Sequence, residues 1–156
     1  NSTAMFNYAN MLYEGNGVTA NKEKAAHYYK MAIQSGNKNA SYFLAVMLDK
    51  VDGVPMNKKE SIKYYKISIN KGNSDAMLNY ADMLFNGDGI DANKEKAAHY
   101  YKMAADKKNN FALLKYAEML ENDDGIEKNT KQANIYYEEY YSQKYIRIIL
   151  ILKSDF

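Results

Sequence analysis

The chain has 156 residues, of which 47% are hydrophobic and 26% are charged, so it can bury a core and remain soluble. Its formal net charge of +2 is too small for a general polyanion binder, and the absence of cysteine excludes disulfides and thiolate chemistry. One proline and eight glycines favour helices. The sequence contains neither a signal peptide nor an apolar run of the roughly 18 residues that a transmembrane helix needs.

The chain begins at Asn1 rather than at methionine, which predicts a segment of a longer protein. The lack of cysteine and of a signal peptide favours a reducing, cytoplasmic compartment, although neither absence establishes it. Neither a membrane nor a nucleic acid is predicted as a partner.

The sequence repeats with a period of 36 residues. The stretch ANKEKAAHYYKMA occurs at residues 20–32 and again, unchanged, at residues 92–104. The two copies are 72 residues apart, and a shift of 36 residues aligns residues 1–144 without insertions. The aligned positions include Ala9, Ala45, Ala81 and Ala117, then Leu12, Leu48, Leu84 and Leu120, and then Asn21, Asn57, Asn93 and Asn129. The chain therefore divides into four repeats, residues 1–36, 37–72, 73–108 and 109–144, followed by residues 145–156.

The first helix of each repeat is predicted from apolar periodicity. In repeat 1 it spans about residues 3–14, with Ala4, Tyr8, Met11 and Leu12 on one face. A turn follows, and its second glycine is the same in all repeats: Gly17, Gly53, Gly89 and Gly125. A left-handed backbone would explain this constancy, because a β-carbon there would cost about 1–2 kcal/mol.

The second helix of each repeat is predicted to start at an asparagine such as Asn21, which can cap an unpaired backbone N–H. Asn57 with Glu60, and Asn129 with Gln132, also have the spacing of a capping box. The buried stripe of this helix in repeat 1 is predicted to be Ala25, Tyr28, Tyr29 and Ala32. A two-helix unit cannot bury its apolar face alone, so stacking between repeats must supply the core.

Residues 145–156, YIRIILILKSDF, depart from the repeat. Their four isoleucines favour a strand locally, but no partner strand is evident elsewhere. We therefore predict a helix that caps the open end of repeat 4, and a capped array is expected to be monomeric. The alternative is an exposed apolar patch that mediates dimerisation.

The order of residues in each repeat resembles the Sel1-like repeat, a relative of the tetratricopeptide repeat. The shared pattern is Ala, Tyr-Ala-x-Met-Leu, Gly-x-Gly-Val, Asn-x-x-Lys-Ala-Ala-x-Tyr-Tyr-Lys-x-Ala and a closing Gly, over residues 1–144. Tetratricopeptide units have about 34 residues, two fewer than here. The resemblance implies an all-α, right-handed superhelix (a solenoid) whose first helices line the concave side. It also implies a non-catalytic scaffold or adaptor.

Neither histidine is predicted to bind a metal or to act as an acid or base. His27 and His99 occupy equivalent positions, and each has a lysine three residues before it and another three residues after it. Metal ligation and acid–base catalysis need convergent partners, which this pattern does not supply. Both side chains are expected on a solvated helix surface, and no cofactor, metal or catalytic residue is predicted.

The positions of the first helix that vary between repeats are the candidate contacts for a partner. By helical phase and by what the resemblance implies for the concave side, they are positions 3, 6, 10, 13 and 14, counted from the first residue of each repeat. The candidates include position 6 (Phe6, Tyr42, Leu78, Leu114), position 10 (Asn10, Val46, Asp82, Glu118) and position 13 (Tyr13, Asp49, Phe85, Glu121). Apolar groups interleaved with carboxylates and amides suit an extended peptide or a helix. At position 6, packing of one first helix on the next is an equally good interpretation. At position 13, contact with a partner is favoured for Tyr13 and Phe85, because repeats 2 and 4 carry charge there.

Charge is distributed unevenly along the array. Residues 37–72 contain seven lysines and three acidic residues, whereas residues 109–144 contain four lysines and seven acidic residues. A polarised partner surface could recognise this difference, and the alternative is drift on solvated faces. The predicted function is a scaffold that binds a peptide or protein in its groove. The alternative is a structural spacer or self-association segment within a larger, even enzymatic, protein.

Overall fold

The computed structural model describes the backbone of residues 1–154 and the side chains of residues 1–146. Over the described backbone the chain forms eight α-helices and no strand. The helices are α1 (Ser2–Glu14), α2 (Lys22–Gln34), α3 (Ala40–Asp49), α4 (Lys58–Asn70), α5 (Ser74–Asn86), α6 (Lys94–Asp106), α7 (Asn110–Asn122) and α8 (Thr130–Ser154). The predicted all-α fold class is confirmed, and consecutive helices alternate as the first and second helix of a repeat.

The chain forms two compact units, one spanning residues 1–76 and the other beginning at Met77. In the first unit α1 packs on α2, α2 on α3 and α3 on α4. In the second unit α6 packs on α7 and α7 on α8. Each second helix that contacts the following first helix thus buries an apolar face that its own repeat could not cover.

Each second helix starts at an asparagine that is held at two points. The side chain of Asn21 accepts a hydrogen bond from the backbone N–H of Lys24 at 2.8 Å. The backbone N–H of Asn21 donates to the carbonyl of Leu12, near the end of the preceding helix, at 2.7 Å. Equivalent backbone bonds join Asn57 to Leu48, Asn93 to Leu84 and Asn129 to Leu120. This pair of bonds fixes where the second helix begins relative to the first.

The same backbone bond overturns the predicted capping boxes. A capping box needs the N–H of the asparagine to donate to the acidic or amide side chain three residues on. At Asn57 that N–H donates instead to Leu48, and Glu60 accepts from the side-chain amide of Asn57 at 3.4 Å. At Asn129 the N–H is likewise taken by Leu120.

Small residues allow the two helices of a repeat to approach closely. The alanine at position 9 is fully buried in every repeat: Ala9, Ala45, Ala81 and Ala117. In repeat 2 the small residue facing it is Ser61, whose buried hydroxyl donates to the carbonyl of Ala45 at 2.8 Å. Tyr29, Tyr65 and Tyr101, each at most 2% exposed, fill the wider space beside these contacts.

The predicted apolar face of the first helix is only partly buried in repeat 1, where Leu12 is buried and the other three residues are exposed. Met11 is 38% exposed, whereas its equivalent Met47 is 1% exposed. Ala4 and Tyr8 are exposed as well, while Ala40 is fully buried. The equivalent residues of α3 and α7 are covered because these helices pack against the preceding second helix, and α1 has no preceding helix in this chain.

The last helix, α8, continues without a break through residues 145–154. Gly36 and Gly72, which follow α2 and α4, have positive φ angles of 86° and 84°. Repeat 4 has Lys144 at that place, and the helix passes through it. The predicted capping or dimerising role of residues 145–156 depends largely on side chains from residue 147 onward, which lie outside the described residues.

Candidate binding surface

Some of the predicted contact residues of the first helices also accept a hydrogen bond from a tyrosine of the second helix. In every repeat the tyrosine at position 29 donates its hydroxyl to a side chain on the first helix of the same repeat. The pairs are Tyr29–Asn10 at 2.7 Å, Tyr65–Asp49 at 3.4 Å, Tyr101–Asp82 at 2.6 Å and Tyr137–Glu121 at 2.8 Å. The acceptor lies at position 10 in repeats 1 and 3 and at position 13 in repeats 2 and 4. Part of the variation at these positions therefore has an intramolecular cause.

Burial and these acceptors keep the tyrosines protonated. Burial, followed by the hydrogen bond to Glu121, raises the pKa of Tyr137 to about 12. Burial also raises the pKa of Tyr101 well above its usual range, and the hydrogen bond to Asp82 adds to the effect. For Tyr29 burial again raises the pKa strongly. These hydroxyls are consequently donors at neutral pH.

Tyr13 lies at the seam between repeats 1 and 2. Its hydroxyl donates to Asp52, which sits in the turn of repeat 2 and also pairs with Lys22. The ammonium of Lys22 lies 5.1 Å from the centroid of the Tyr13 ring. The hydrogen bonds from Lys22 and then from Tyr13 lower the pKa of Asp52. Tyr13 therefore has an internal role besides any role in binding.

The equivalent seam between repeats 3 and 4 has Phe85 in place of Tyr13. Lys94 lies 4.9 Å from the centroid of the Phe85 ring and pairs with Asp124 at 2.5 Å. The Phe85 ring also packs against Tyr101, with 6.4 Å between the ring centroids. Phe85 has no hydroxyl to donate to Asp124, the aspartate of the turn in repeat 4. Its ring lines a pocket whose polar groups come from other residues.

Two of the constant turn glycines, Gly53 and Gly125, lie beside these lysines. Gly17, Gly53, Gly89 and Gly125 all have left-handed backbone, with φ between 74° and 81°. A β-carbon on Gly53 would lie 2.1 Å from Cβ of Lys22, and one on Gly125 would lie 2.4 Å from Cβ of Lys94. Glycine is thus required there both by the backbone conformation and by the close approach of the preceding repeat.

Each compact unit has a pocket at this seam, and the two pockets are related by a shift of 72 residues along the chain. The first pocket, of about 180 Å³, is lined by Tyr13, Tyr42, Phe43, Val46 and Met47. The second pocket, of about 220 Å³, is lined by Asp82, Phe85, Asn86, Tyr101, Lys115, Glu118, Met119, Asn122 and Asp124. Four pairs of equivalent residues line the two pockets. Three pairs differ in residue type: Tyr13 and Phe85, Phe43 and Lys115, and Val46 and Glu118. The fourth pair, Met47 and Met119, is the same.

The first pocket is aromatic and apolar. Phe43 is 39% exposed and stacks on Tyr29, with 5.7 Å between ring centroids and 14° between ring planes. Phe6 and Tyr42 flank Phe43 at centroid distances of 5.5 Å and 5.6 Å. The packing of Phe6 against these rings shows that position 6 contributes to the core of this cluster. Phe43 and its neighbours can offer a partner rigid aromatic surface.

The second pocket combines an apolar floor with charge. Phe85 and Met119 supply apolar surface, and three carboxylates and one ammonium group lie around them. Asp82 is half-buried and is fixed by the hydroxyl of Tyr101. Glu118 pairs with Lys115 at 3.6 Å, with both side chains more than two-fifths exposed. The two pockets therefore share a location within the repeats but differ in chemistry.

The predicted surface residues fall into two groups. Tyr13, Tyr42 and Val46 line the first pocket, and Asp82, Phe85 and Glu118 line the second. Phe6, Asn10, Asp49, Leu78, Leu114 and Glu121 line neither pocket. Eleven of the twelve are half-buried, and Glu121 is exposed.

Sequence reasoning missed position 7, which supplies Phe43 to one pocket and Lys115 to the other. This position is Asn7, Phe43, Asn79 and Lys115 in the four repeats, so it varies as much as position 6, which was selected. The same test of variation between repeats would have found it.

The histidines lie on exposed helix surface, as expected. The ring of His27 packs edge-on against Tyr28, with 5.8 Å between ring centroids, and His99 packs similarly against Tyr100. Within residues 1–146 no group of three or more histidine, aspartate or glutamate side chains could hold a metal ion. In the described part of the chain, no helix combines the length and apolar character needed to cross a membrane.

Comparison with known proteins relates this geometry to a repeat family. The Sel1 repeat model matches residues 2–37, 38–73, 74–109 and 110–144. Among solved structures, a protective antigen present in uropathogenic Escherichia coli strains and displaying an SLR fold has 25% identity and a TM-score of 0.88. A Sel1 repeat protein from Oxalobacter formigenes has 23% identity and a TM-score of 0.86, and the cysteine-rich protein B of Helicobacter pylori has 23% identity and a TM-score of 0.62.

The lengths of these proteins differ from that of the present chain. The matches to the Escherichia coli and Oxalobacter formigenes proteins cover 91% of this chain but only 30% and 58% of theirs. The match to the Helicobacter pylori protein covers 81% of this chain and 92% of that protein. No curated protein sequence matches the chain.

Proposed function

Because the chain belongs to the Sel1 repeat family, whose members generally mediate protein–protein interactions, we propose that it is a non-catalytic scaffold that binds a peptide or protein segment along its first helices. The first pocket and the second pocket are the contact points in this proposal. Both are lined mainly by first helices, and both display side chains that vary between repeats.

The observation that carries the proposal is the size and lining of the two pockets. Their volumes of about 180 Å³ and 220 Å³ fall below the roughly 300–1,000 Å³ that is usual for small-molecule sites. Such pockets suit single side chains of a longer partner. Aromatic rings at the first pocket and a bordering ring in the second provide anchor surface of the kind that dominates binding energy at protein interfaces.

The experiment is selection of 12-residue peptides from a random phage-displayed library on the immobilised chain, followed by calorimetric titration of the selected peptides. The double variant Phe43→Lys/Val46→Glu alters the first pocket with residues that repeat 4 already carries at these positions. We expect it to weaken peptides that bind the first pocket about tenfold or more, because an anchor pocket is lost. His27→Ala, on the exposed side of α2, serves as the matched control and should leave binding unchanged.

Two results would contradict the proposal. One is a library that yields no enriched peptide. The other is a set of peptides whose affinities change neither with Phe43→Lys/Val46→Glu nor with substitutions at the second pocket. Circular dichroism of each variant establishes that the helices remain folded, so that a loss of binding is not a loss of structure.

Self-association is the second candidate function, and one observation favours it. Apolar side chains on α8 are exposed: Ile135, Tyr141, Tyr145 and Ile146, with exposed fractions of 48–65%. Exposed apolar patches commonly mark interaction sites. Light scattering over a dilution series tests this candidate, since self-association raises the apparent mass with concentration and a monomer keeps it constant.

A further inference from the structure

We infer that the second pocket binds a basic side chain, arginine or lysine, of a peptide partner. This inference rests on the proposed function and specifies the chemistry of one of its two sites. The pocket offers what a long cationic side chain requires, namely an apolar surface for its methylene groups and carboxylates for its charged end.

Three carboxylates line the pocket together with its apolar residues. Asp82 reaches the pocket from α5, with one oxygen, Oδ1, held at 2.6 Å by the hydroxyl of Tyr101. Glu118 reaches it from α7, one turn away from Lys115. Asp124 completes the rim but is already neutralised by Lys94 at 2.5 Å. Asp82 and Glu118 are therefore the groups that a partner's cation would meet.

Phe85 and Met119 form the apolar part of the same pocket. The methylene stem of lysine or arginine gains by covering such surface while its charged end stays with the carboxylates. Arginine is expected to bind more tightly than lysine, because its planar guanidinium can pair with a carboxylate through two hydrogen bonds. In the first pocket the residues equivalent to Lys115 and Glu118 are Phe43 and Val46, so a basic side chain gains no carboxylate there.

Lys115 is the internal competitor for this site. Its ammonium lies 3.6 Å from Glu118, a long distance for an ion pair, and 51% of its side chain is exposed. Solvent-exposed pairs of this type contribute little to stability, so a partner's cation can displace the ammonium. Removing Glu118 should therefore weaken the binding of a partner's basic side chain, and removing Lys115 should strengthen it.

The repeats themselves supply variants that remove charge without removing structure. Asn10 stands where Asp82 stands, and it accepts the hydroxyl of Tyr29 at 2.7 Å. Asp82→Asn should therefore retain the bond from Tyr101 and lose only the charge. For Glu118, the isosteric change Glu118→Gln does the same.

The test is titration of the isotope-labelled chain with acetyl-Gly-Arg-Gly-amide, followed by amide chemical shifts in two-dimensional NMR. The control probe is the same peptide with citrulline, which is nearly isosteric with arginine and uncharged. We expect saturable shifts at Asp82, Phe85 and Glu118 with the arginine peptide and weaker binding of citrulline. Asp82→Asn and Glu118→Gln should each weaken the arginine peptide about two- to fivefold, and Lys115→Ala should strengthen it by a similar factor.

Equal binding of the arginine and citrulline peptides would overturn the inference, as would shifts confined to residues outside the second pocket. Arginine affinity unchanged in both Asp82→Asn and Glu118→Gln would also overturn it. These failures are distinguishable from failure of the proposed function. Library peptides that bind the first pocket would still support a scaffold, whereas the absence of any selected peptide would contradict the scaffold itself.

Discussion

At the scale of single residues, position 10 of the first helix combines an internal task with an exposed one. In repeat 1 an amide at Asn10 accepts the hydroxyl of Tyr29, and in repeat 3 a carboxylate at Asp82 accepts that of Tyr101. The geometry is nearly the same, with distances of 2.7 Å and 2.6 Å, but only Asp82 brings a negative charge to the pocket. In repeats 1 and 3 the acceptor stands at position 10 and its charge is free to vary, whereas repeats 2 and 4 place the acceptor at position 13.

This separation predicts different outcomes for two substitutions at Asp82. Asp82→Asn should leave the free energy of unfolding nearly unchanged, since the amide oxygen still accepts from Tyr101. Asp82→Ala leaves a buried hydroxyl without its acceptor and should cost about 1–3 kcal/mol. Urea denaturation followed by circular dichroism measures both. Equal losses for the two variants would show that the charge of Asp82, and not its acceptor oxygen, stabilises the repeat.

At the scale of the structural element, the turn between the two helices is fixed by its glycine and by the preceding repeat. Gly17 and Gly53 both have left-handed backbone, with φ of 74° and 76°. A β-carbon on Gly17 would have Met11 as its nearest neighbour, at 3.7 Å. At Gly53 it would overlap Cβ of Lys22 at 2.1 Å. The two turns therefore share a backbone requirement and differ in the steric one.

Alanine substitutions at these two glycines separate the requirements. Gly17→Ala should cost about 1–2 kcal/mol from backbone strain alone. Gly53→Ala should cost more, because α2 must also shift away from the turn of repeat 2. The urea midpoints of the two variants, compared with the unsubstituted chain, measure the difference. A Gly53→Ala variant that is no less stable than Gly17→Ala would contradict the close packing between this turn and Lys22.

The elements themselves follow closely from the sequence, and the failures have identifiable causes. Apolar periodicity and the recurring asparagine predict the helix pairs because both signals are local to one repeat. The capping box failed because the N–H of Asn57 donates to Leu48, nine residues earlier in the chain. Met11 is exposed because no second helix precedes α1 in this chain, and the residue pattern within repeat 1 carries no information about a preceding helix. The pockets depend on pairs such as Tyr13 and Phe43, which belong to different repeats.

At the scale of the whole molecule, repeats 1 and 2 and repeats 3 and 4 present equivalent pockets whose side chains differ. Residues 20–32 and 92–104 are identical, and they contain all but the last two residues of the second helices of repeats 1 and 3. In the pockets, Met47 and Met119 are kept, whereas Phe43 and Val46 are replaced by Lys115 and Glu118. Together with the changes from Asn10 to Asp82 and from Tyr13 to Phe85, these side chains should account for differences in binding between the pockets.

An exchange of these side chains tests that view. The double variant Lys115→Phe/Glu118→Val gives the second pocket the residues of the first, and both lie at positions where repeat 2 already accommodates them. We expect the free energy of unfolding to change by less than about 1 kcal/mol, as is usual for partly exposed sites. Compared with the single variant Lys115→Phe, the double variant should bind acetyl-Gly-Arg-Gly-amide more weakly, because a carboxylate is lost. Compared with the unsubstituted chain, it should bind acetyl-Gly-Phe-Gly-amide more tightly, because aromatic surface is gained. Amide chemical shifts of the second pocket report both titrations, and an exchanged pocket that still prefers arginine would place the specificity in Asp82 and its surroundings instead.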